Sequence, residues 1–424
     1  MKYRAYFKLK LTLLSPLSIG SSNSESTDRD VVLDSRGKPV IPATAVAGVF
    51  RSLSDEDNKK LFGDIEKFEY NKNGKQVPLE SKLLFYDAQL SEEKPVSIRD
   101  SVALNKYKSA KDGAKFDFEI VETGAVFIGY VEANTTKAAE LFENLLGNKL
   151  YLGAKSTRGY GSVSVEYKKK IFREEDTDKW LEFEMFKDSS WESEDCKDWK
   201  SPEEIGNYTT ITLSLKQNGG LSIRQYSTEP KEADSVPLSL GDGTRVIPGT
   251  SWAGMFRSHM AKLLNYGEKG LDKLFGFVDT ENKSKSAKSK ICFSESQISD
   301  AVSKILTRNA IDRFTNGTKD GALFTEVTVY NGRTELQIEF RGKICDKIKN
   351  DIEWALAAAL LDLHNGYIAV GGLTSVGRGM FTIDTISTKN NPCKKFEEYR
   401  DNEKSGWNLK KLKEDIFDDR NKDR

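Results

Sequence analysis

Two glycine-rich stretches of this sequence carry the residue types that bind phosphate groups. The first, Gly153 to Gly161, reads Gly-Ala-Lys-Ser-Thr-Arg-Gly-Tyr-Gly, and the second, Gly371 to Gly379, reads Gly-Gly-Leu-Thr-Ser-Val-Gly-Arg-Gly. Glycines let a backbone approach an anion closely, and the N–H groups of such loops point towards negative charge. The basic side chains within these stretches are Lys155, Arg158 and Arg378. Contacts of this kind hold a nucleic-acid backbone without reading its sequence.

A second motif is also present twice, at Val40 to Ser52 and at Val246 to Ser258. Each copy begins with Val-Ile-Pro, continues with an apolar run that contains one glycine, and ends in Arg-Ser, which contributes Arg51 and Arg257. The proline disfavours helix at the residue before it, and a following threonine is a suitable helix N-cap. The predicted N-caps are Thr44 and Thr250, and the internal glycines are Gly48 and Gly254. A glycine inside a helix costs roughly 1 kcal/mol relative to alanine, so we expect close packing against the helix backbone there.

The two motifs belong to a duplication of the whole chain. The copies are 206 residues apart at the Ile-Pro motif and 218 residues apart at the glycine-rich loop, with further matching pairs between them in the same order. A repeat of this length predicts two similar domains rather than a solenoid. We predict a first domain over 1–167, an acidic connector over 168–207, a second domain over 208–386 and a charged tail over 387–424.

Composition narrows the possible functions. The 424 residues carry no formal net charge, which argues mildly against a free-standing nucleic-acid binder. Four scattered cysteines support neither a zinc site nor a disulfide framework, and two histidines are too few for a poly-histidine metal site. No apolar run is long enough for a membrane span or a signal peptide, so we expect a cytoplasmic protein.

Hydrophobic periodicity predicts the elements that position these motifs. Tyr3 to Leu13 alternates like a half-buried strand, and Thr136 to Leu146 has the pattern of an amphipathic helix. Together with the strands Phe116–Val121, Ala125–Val131 and Ser162–Tyr167, the order is that of a ferredoxin-like βαββαβ unit with inserted strands, which is an α+β fold.

Two basic segments, Arg99 to Lys115 and Arg308 to Asp320, look irregular between strand-like flanks. A solvated surface loop is the alternative interpretation of each. Their basic side chains include Arg99, Lys108, Lys111, Arg308, Arg313 and Lys319.

At these landmarks the sequence resembles the RAMP superfamily of CRISPR proteins, and more narrowly the backbone subunits of type III (Csm/Cmr-like) effector complexes. Those subunits carry Pro-Leu-x-Ile-Gly, a loop Asp, then Ile-Pro-Gly-Ser-Ser-x-Lys-Gly-x-x-Arg. Here the first copy has Pro16 to Gly20, Asp28 and Ile41 to Arg51, and the second has Gly220 to Ile223, Asp234 and Ile247 to Arg257. Both copies replace the lysine before the helix glycine by alanine, at Ala47 and Ala253, which puts one guide contact per domain in doubt.

The resemblance implies a tandem fusion of two guide-RNA-binding domains within a hetero-oligomeric complex, without a membrane. The implied partners are a crRNA guide, a complementary target RNA and other CRISPR effector subunits. The guide-facing elements would be the helix after Ile-Pro and the glycine-rich loops. The loop glycines that the resemblance places next to the guide are Gly153, Gly159, Gly161, Gly371, Gly372, Gly377 and Gly379. The basic segments would be thumb-like hairpins that wedge into the guide–target duplex.

The resemblance also implies a reaction. Target-cleaving members use a loop Asp with a divalent metal such as Mg²⁺, and the target's own 2′-hydroxyl attacks the neighbouring phosphate in line. Asp28, with Asp30 beside it, matches this position in the first domain, and Asp234 matches it in the second. Both matching aspartates, Asp28 and Asp234, are the implied metal ligands.

Three alternatives stay open from the sequence. The loop aspartates could be ordinary solvated acids, which would make the chain a non-catalytic guide-RNA scaffold. Guide-RNA processing with a histidine base is a second alternative, for which the candidates are His259 and His364. A duplicated β-rich binding protein outside the CRISPR systems is the third.

Overall fold

The computed structural model describes residues 3–21, 27–70, 76–92, 94–104, 110–194, 196–205, 208–226, 233–264, 267–279, 286–341, 346–389, 391–401 and 406–417. The chain divides into two compact units, one made of Met1–Ser156 and Tyr160–Asn207 and the other of Thr157–Gly159 and Tyr208–Arg424. Both units are mixed α+β structures built on antiparallel sheets.

The first unit contains the predicted strand–helix–strands–helix–strand order with inserted hairpins. Its elements are β1 (Tyr3–Leu13), β2 (Val40–Ile41), α1 (Ala43–Leu53), α2 (Glu56–Lys59), β3 (Asp64–Tyr70), β4 (Gln76–Leu79), β5 (Leu83–Phe85), β6 (Ala88–Glu92), β7 (Val96–Leu104), β8 (Ala110–Val121), β9 (Val126–Ala133), α3 (Thr136–Leu146), β10 (Leu150–Tyr151), β11 (Ser162–Arg173) and α4 (Thr177–Leu181).

The main sheet of this unit has the strand order β10-β11-β1-β9-β6-β2, with β5 also paired to β9. The first strand therefore lies between the last and the third strands of the βαββαβ unit, as in a ferredoxin-like fold. Alternate residues of β1 enter the core, where Phe7 packs edge-on against Phe142 of α3 with ring centroids 5.0 Å apart. Phe50 of α1 contacts the same Phe142 ring at 4.8 Å, so both helices cover one face of the sheet.

The second unit repeats this plan. Its elements are β12 (Thr209–Asn218), β13 (Gly220–Leu221), β14 (Arg224–Tyr226), β15 (Ser235–Pro237), β16 (Arg245–Ile247), α5 (Gly249–Leu263), α6 (Gly267–Phe275), β17 (Ile291–Phe293), β18 (Ser296–Ser299), β19 (Val302–Arg308), β20 (Phe324–Tyr330), β21 (Arg333–Phe340), α7 (Asp346–His364), β22 (Met380–Thr388), β23 (Lys394–Lys395), β24 (Arg400–Asp401), β25 (Gly406–Trp407) and α8 (Leu409–Phe417). The main sheet runs β16-β18-β21-β12-β22-β23, with β17 paired to β21. The tandem ferredoxin-like fold expected from the sequence is confirmed.

The first basic segment belongs to a β-hairpin rather than to irregular structure, whereas most of the second is the loop between two hairpin strands, as expected. Arg99 lies in β7, which pairs with β8, and the second segment begins at the end of β19 and continues into the loop before β20. The interpretation of the first segment as irregular was wrong, because a hairpin that projects from a core lacks the one-sided alternation that marks a half-buried strand. Lys108 lies outside the described residues, and Lys111 is placed in β8.

The helices after Ile-Pro begin two residues earlier than predicted. Pro42 and Pro248 are the N-cap residues, with extended ψ angles of 140° and 143°, and neither cap makes a side-chain hydrogen bond. Thr44 and Thr250 therefore lie in the first turn. The expected packing at the helix glycines is also absent, because a β-carbon at Gly48 or Gly254 would meet no atom within 4 Å among the described residues.

The predicted connector and tail both pack on the units. The described residues within 174–205 belong to the first unit, and Trp191 is completely buried there. In the tail, Phe396, Tyr399 and Leu412 join the core of the second unit.

Candidate nucleic-acid interface

The two glycine-rich loops have the same backbone conformation. In each, a non-glycine residue takes a left-handed φ, 59° at Lys155 and 55° at Leu373, and a short 3₁₀ turn follows, Ser156–Arg158 or Thr374–Val376. A β-carbon at Gly161 or Gly379 would overlap a backbone carbonyl, so only glycine fits these positions. Because φ values and turns coincide, residues of the two loops can be compared position by position.

Several loop N–H groups are used inside the protein. Ala154 donates to the Ser18 carbonyl at 2.7 Å, and Gly372 donates to the Ser222 carbonyl at 2.8 Å. Gly161 and Gly379 bind the carbonyls of Pro16 and Gly220 in the same way. The glycines at 153, 161, 371 and 379 therefore serve first to seat each loop on the segment that follows the first strand of its unit.

The two loop arginines occupy different positions. Arg158 matches Val376, and both residues are exposed, whereas Arg378 matches Tyr160 and is 4% exposed. The Arg378 guanidinium donates from Nη2 to Glu326 at 2.7 Å and from Nη1 to the Thr328 hydroxyl at 2.5 Å. Arg158 therefore keeps the exposure that a phosphate contact requires, while Arg378 attaches the glycine-rich loop to β20.

The first unit makes the same attachment with aromatic rings. Tyr160 packs edge-on against Phe118 of β8, with ring centroids 5.9 Å apart, and Phe116 stacks beside Phe118. The Lys155 ammonium lies 2.6 Å from the Phe118 ring centroid and 4.9 Å from that of Phe116. Lys155 therefore contacts this cluster from the loop. In both units, the loop and the second hairpin strand are thus held together through the face of the hairpin.

The hairpin of the second unit presents an aromatic side chain at its tip. Phe314 is 97% exposed, and Arg313 and Lys319 beside it are exposed as well. Asp312 orders this loop, because its carboxylate accepts the N–H groups of Phe314 and Thr315 at 2.9 and 3.0 Å. The same backbone hydrogen bonds, from Thr315 first, lower the pKa of Asp312. An exposed ring among cations can stack on a nucleic-acid base, and the Arg-Phe pair was the signal that sequence reasoning missed.

Two other basic residues of the hairpins, Arg308 and Arg99, interact with the protein itself. Arg308 forms an ion pair with Glu326 at 3.2 Å, and about half of its side chain is exposed. Arg99 is buried, at 3% exposure, and so faces the protein rather than a groove.

The two loop aspartates are held against equivalent hairpin positions. Asp28 accepts the backbone N–H of Asp117 at 3.1 Å, and the Asp117 carboxylate accepts the N–H of Asp28 at 2.9 Å. In the second unit Asp234 accepts the N–H of Thr325 at 2.7 Å. Asp117 and Thr325 are both followed along the strand by the residue that attaches to the glycine-rich loop, Phe118 or Glu326. Each aspartate is thus exposed beside the second strand of its hairpin.

Asp30 has a different role from Asp28. Its carboxylate accepts the N–H and the hydroxyl of Thr27 at 2.9 and 2.8 Å, which closes a local turn. Asp30 is consequently a turn-forming residue, and Asp28 is the carboxylate that faces the hairpin.

Mg²⁺ binding requires oxygen ligands, which the loop aspartates and their hairpin neighbours could supply. Within the described part of the chain, no group of three or more His, Cys, Asp or Glu side chains could hold a metal ion. Mg²⁺ is commonly bound by one or two carboxylates together with water and substrate phosphates. Asp28 and Asp117 fit as the protein part of such a site, whereas Asp234 has Thr325 in place of a second carboxylate.

The helix arginines each face an aspartate. Arg257 binds Asp272 at 2.8 Å, and Arg51 lies 4.0 Å from Asp64 with about half of its side chain exposed. The helix surface beside Arg51 is bare because Gly48 is exposed, and the same holds for Gly254 next to Arg257. Each of these glycines destabilises its helix relative to alanine, and in return leaves an open helix surface that the backbone of a binding partner can approach.

Both histidines take part in packing between helices and neighbouring elements. His259 Nε2 lies 2.6 Å from Asp362 of α7, and His364 stacks on Phe396 with ring centroids 4.7 Å apart. Among the described residues, no helix is long and apolar enough to cross a membrane.

Comparisons with known proteins give a family. The family model described as the RAMP superfamily matches residues 10–164 and 200–382, which together exceed half of the chain. None of the curated proteins matches. A solved structure that matches is the cryo-EM structure of the type III-B Cmr-beta bound to cognate target RNA, with 14% sequence identity and a TM-score of 0.32. That alignment covers 43% of this chain and 60% of the other chain's length.

Proposed function

Since this chain belongs to the RAMP superfamily, we propose that it is a guide-RNA-binding backbone subunit of a type III CRISPR effector complex. Its two units would occupy two successive places along a crRNA guide and meet a complementary target RNA and neighbouring effector subunits. The observation that carries the proposal is an arrangement of three features that occurs once in each unit. Each unit joins an exposed loop aspartate, the second strand of a projecting hairpin and a glycine-rich loop through the same positions.

The proposal includes cleavage of the target RNA beside the second strand of each hairpin. A carboxylate at this point can orient the attack of a 2′-hydroxyl on the adjacent phosphate. Asp28 with Asp117, and Asp234, are the candidate carboxylates. A divalent ion such as Mg²⁺, when bound there, supplies positive charge to the phosphate. The single carboxylate of the second unit predicts slower cleavage there, and a scaffold role is the alternative for that unit.

The glycine-rich loops provide a test of guide binding with an internal control. Arg158→Ala is expected to weaken binding of the full chain to a fluorescent single-stranded RNA and to reduce the slope of log K against log salt by about 1, because one phosphate contact is lost. Val376→Ala truncates the matching exposed position of the second loop without a change in charge, so affinity and slope should stay as in the wild type. A wild-type chain without salt-dependent RNA affinity would refute the proposal.

The hairpin tip makes a separate contribution. Phe314→Ala is expected to weaken RNA binding by about 1–3 kcal/mol, or roughly 5- to 150-fold in Kd, because base–aromatic stacking is lost. Ile311→Ala is the matched control, since Ile311 is an exposed apolar residue of the same loop that has no aromatic face. Equal losses in the two variants, measured by fluorescence anisotropy, would show that the loop fold rather than the ring is responsible.

A further inference from the structure

The outer face of the main sheet in the first unit is basic and aromatic. The core-facing residues of β1, such as Phe7 and Leu9, alternate with residues that point to the opposite side. On that side, the three central strands carry Tyr6, Lys8, Lys10, Tyr130, Lys168, Lys170 and Phe172. Two acids share the face, Glu132 paired with Arg4 at 2.5 Å and Glu166 paired with Lys10 at 3.0 Å, so the lysines still outnumber the carboxylates. Aromatic rings that stack on bases, with cations that meet phosphates, are the composition of sheet surfaces that bind single strands.

The connector covers this face and neutralises it. Residues 174–207 include thirteen Asp and Glu against four Lys. Asp188 forms an ion pair with the buried Lys8 at 2.5 Å, and the Trp191 carbonyl accepts from Lys168 at 3.2 Å. The Trp199 ring centroid lies 5.3–6.0 Å from the ammonium groups of Lys8, Lys10 and Lys168. The connector thus presents a carboxylate, a backbone carbonyl and an aromatic ring to these lysines, which are the kinds of group that a nucleic-acid strand would offer.

The aromatic groups of the sheet are covered in the same way. Tyr6 accepts a hydrogen bond from the Trp180 indole at 2.8 Å and packs against Phe183 at a centroid distance of 5.0 Å. Tyr130 contacts Phe186 and Trp191 at 5.2 and 6.3 Å. This burial, with the Asp188 charge nearby, raises the pKa of Tyr130 to about 12. Water has therefore been removed from the same rings that a base would stack on.

The second unit shows that the fold itself does not require such a face. The corresponding side of its sheet carries Thr210, Thr212, Ser214 and Lys216 on β12, and Arg333, Glu335 and Gln337 on β21. These polar, non-aromatic residues are half-buried or exposed. The basic and aromatic surface is accordingly a property of the first unit, and it occurs on the unit that carries the acidic connector.

We propose that the outer face of the first sheet is a binding surface for single-stranded nucleic acid that the acidic connector, residues 174–205, keeps closed. The connector supplies stacking rings and negative charge in place of bases and phosphates. Opening it exposes the lysines and the tyrosines together. This surface is separate from the glycine-rich loops and the hairpin tips, so it does not depend on the proposed function.

Asp188→Lys tests the proposal because it places a cation against Lys8 without creating a cavity. Glu184→Lys is the matched control: it makes the same charge change in the connector, at a residue whose carboxylate binds Lys187 rather than the sheet. Anisotropy titrations of the full chain with 15-nucleotide oligouridine and oligothymidine should show at least 10-fold tighter binding for Asp188→Lys than for Glu184→Lys. Adding Lys10→Gln should reduce this gain by severalfold, while Arg158→Ala should leave the ratio of the two affinities unchanged.

A second variant ensures that the face is exposed. Residues 174–199 are exchanged for a Gly-Ser chain of the same length, and hydrogen exchange of β1 reports whether the sheet stays folded. This variant should bind both oligonucleotides at least as tightly as Asp188→Lys. If neither variant binds more tightly than Glu184→Lys, the face is ordinary packing surface and the proposal is overturned.

Discussion

Glu326→Ala is expected to lower the free energy of unfolding of the second unit by about 3–5 kcal/mol, because removal of one partner from a buried ion pair leaves an uncompensated charge. Glu326 is 2% exposed and accepts from both Arg378 and Arg308. Without it, the buried guanidinium of Arg378 keeps its hydrogen bond to the Thr328 hydroxyl but loses the Glu326 carboxylate that balances its charge. Hydrogen exchange of the β12 amides, which lie in the core of this unit, measures the loss separately from the first unit.

The first unit shows which residues could replace the Glu326–Arg378 ion pair without loss of stability. Phe118 and Tyr160 occupy the positions of Glu326 and Arg378, so the double variant Glu326→Phe/Arg378→Tyr replaces the ion pair by packed rings. Exchange of a buried ion pair for apolar groups of suitable shape is often neutral or stabilising. We expect the double variant to regain most of the stability that Glu326→Ala loses. Equal exchange rates in both variants would mean that the loss comes from general disruption of the hairpin.

Hydrophobic periodicity was sufficient to predict the bounds of strands and helices that bury one regular face. The predicted bounds of β1 and α3 agree with the structure, since β1 alternates over its whole length and α3 is bounded by the Thr135 N-cap and Gly147. The hairpins were harder to predict because they project from the core and lack such a pattern. The helix start at Pro42 was missed because no side chain caps the helix.

The roles of individual basic residues depend on contacts between distant parts of the chain. Arg158 and Arg378 look alike in the sequence, and both lie in a glycine-rich loop. Their environments differ because Glu326 lies 52 residues before Arg378, on a strand that packs on the loop, whereas the first unit has Phe118 there. Sequence spacing gives no sign of which strand residue will face which loop residue. Only the paired hairpin register reveals it.

Asp28→Ala is expected to reduce one distinct cut of a labelled target RNA by about 100-fold, because misplacement at a reacting group by about 1 Å already costs that much. The measurement uses the assembled complex with guide RNA and Mg²⁺. Asp234→Ala should remove a different cut, and the double variant should remove both. Asp30→Ala serves as the neighbouring control, since its carboxylate binds Thr27 and its loss should affect the rate far less.

The residue that faces each loop aspartate should set the relative rates of the two cuts. The first unit has a second carboxylate at Asp117, whereas the second unit has Thr325 at the equivalent place. Because Mg²⁺ binds better to two carboxylates than to one, we expect Asp117→Thr to slow the first cut and Thr325→Asp to accelerate the second. Both substitutions keep the backbone N–H that the loop aspartate accepts, so guide binding should not change. An unaltered cut pattern in all of these variants, with guide still bound, would leave this chain as a scaffold and assign cleavage to other subunits.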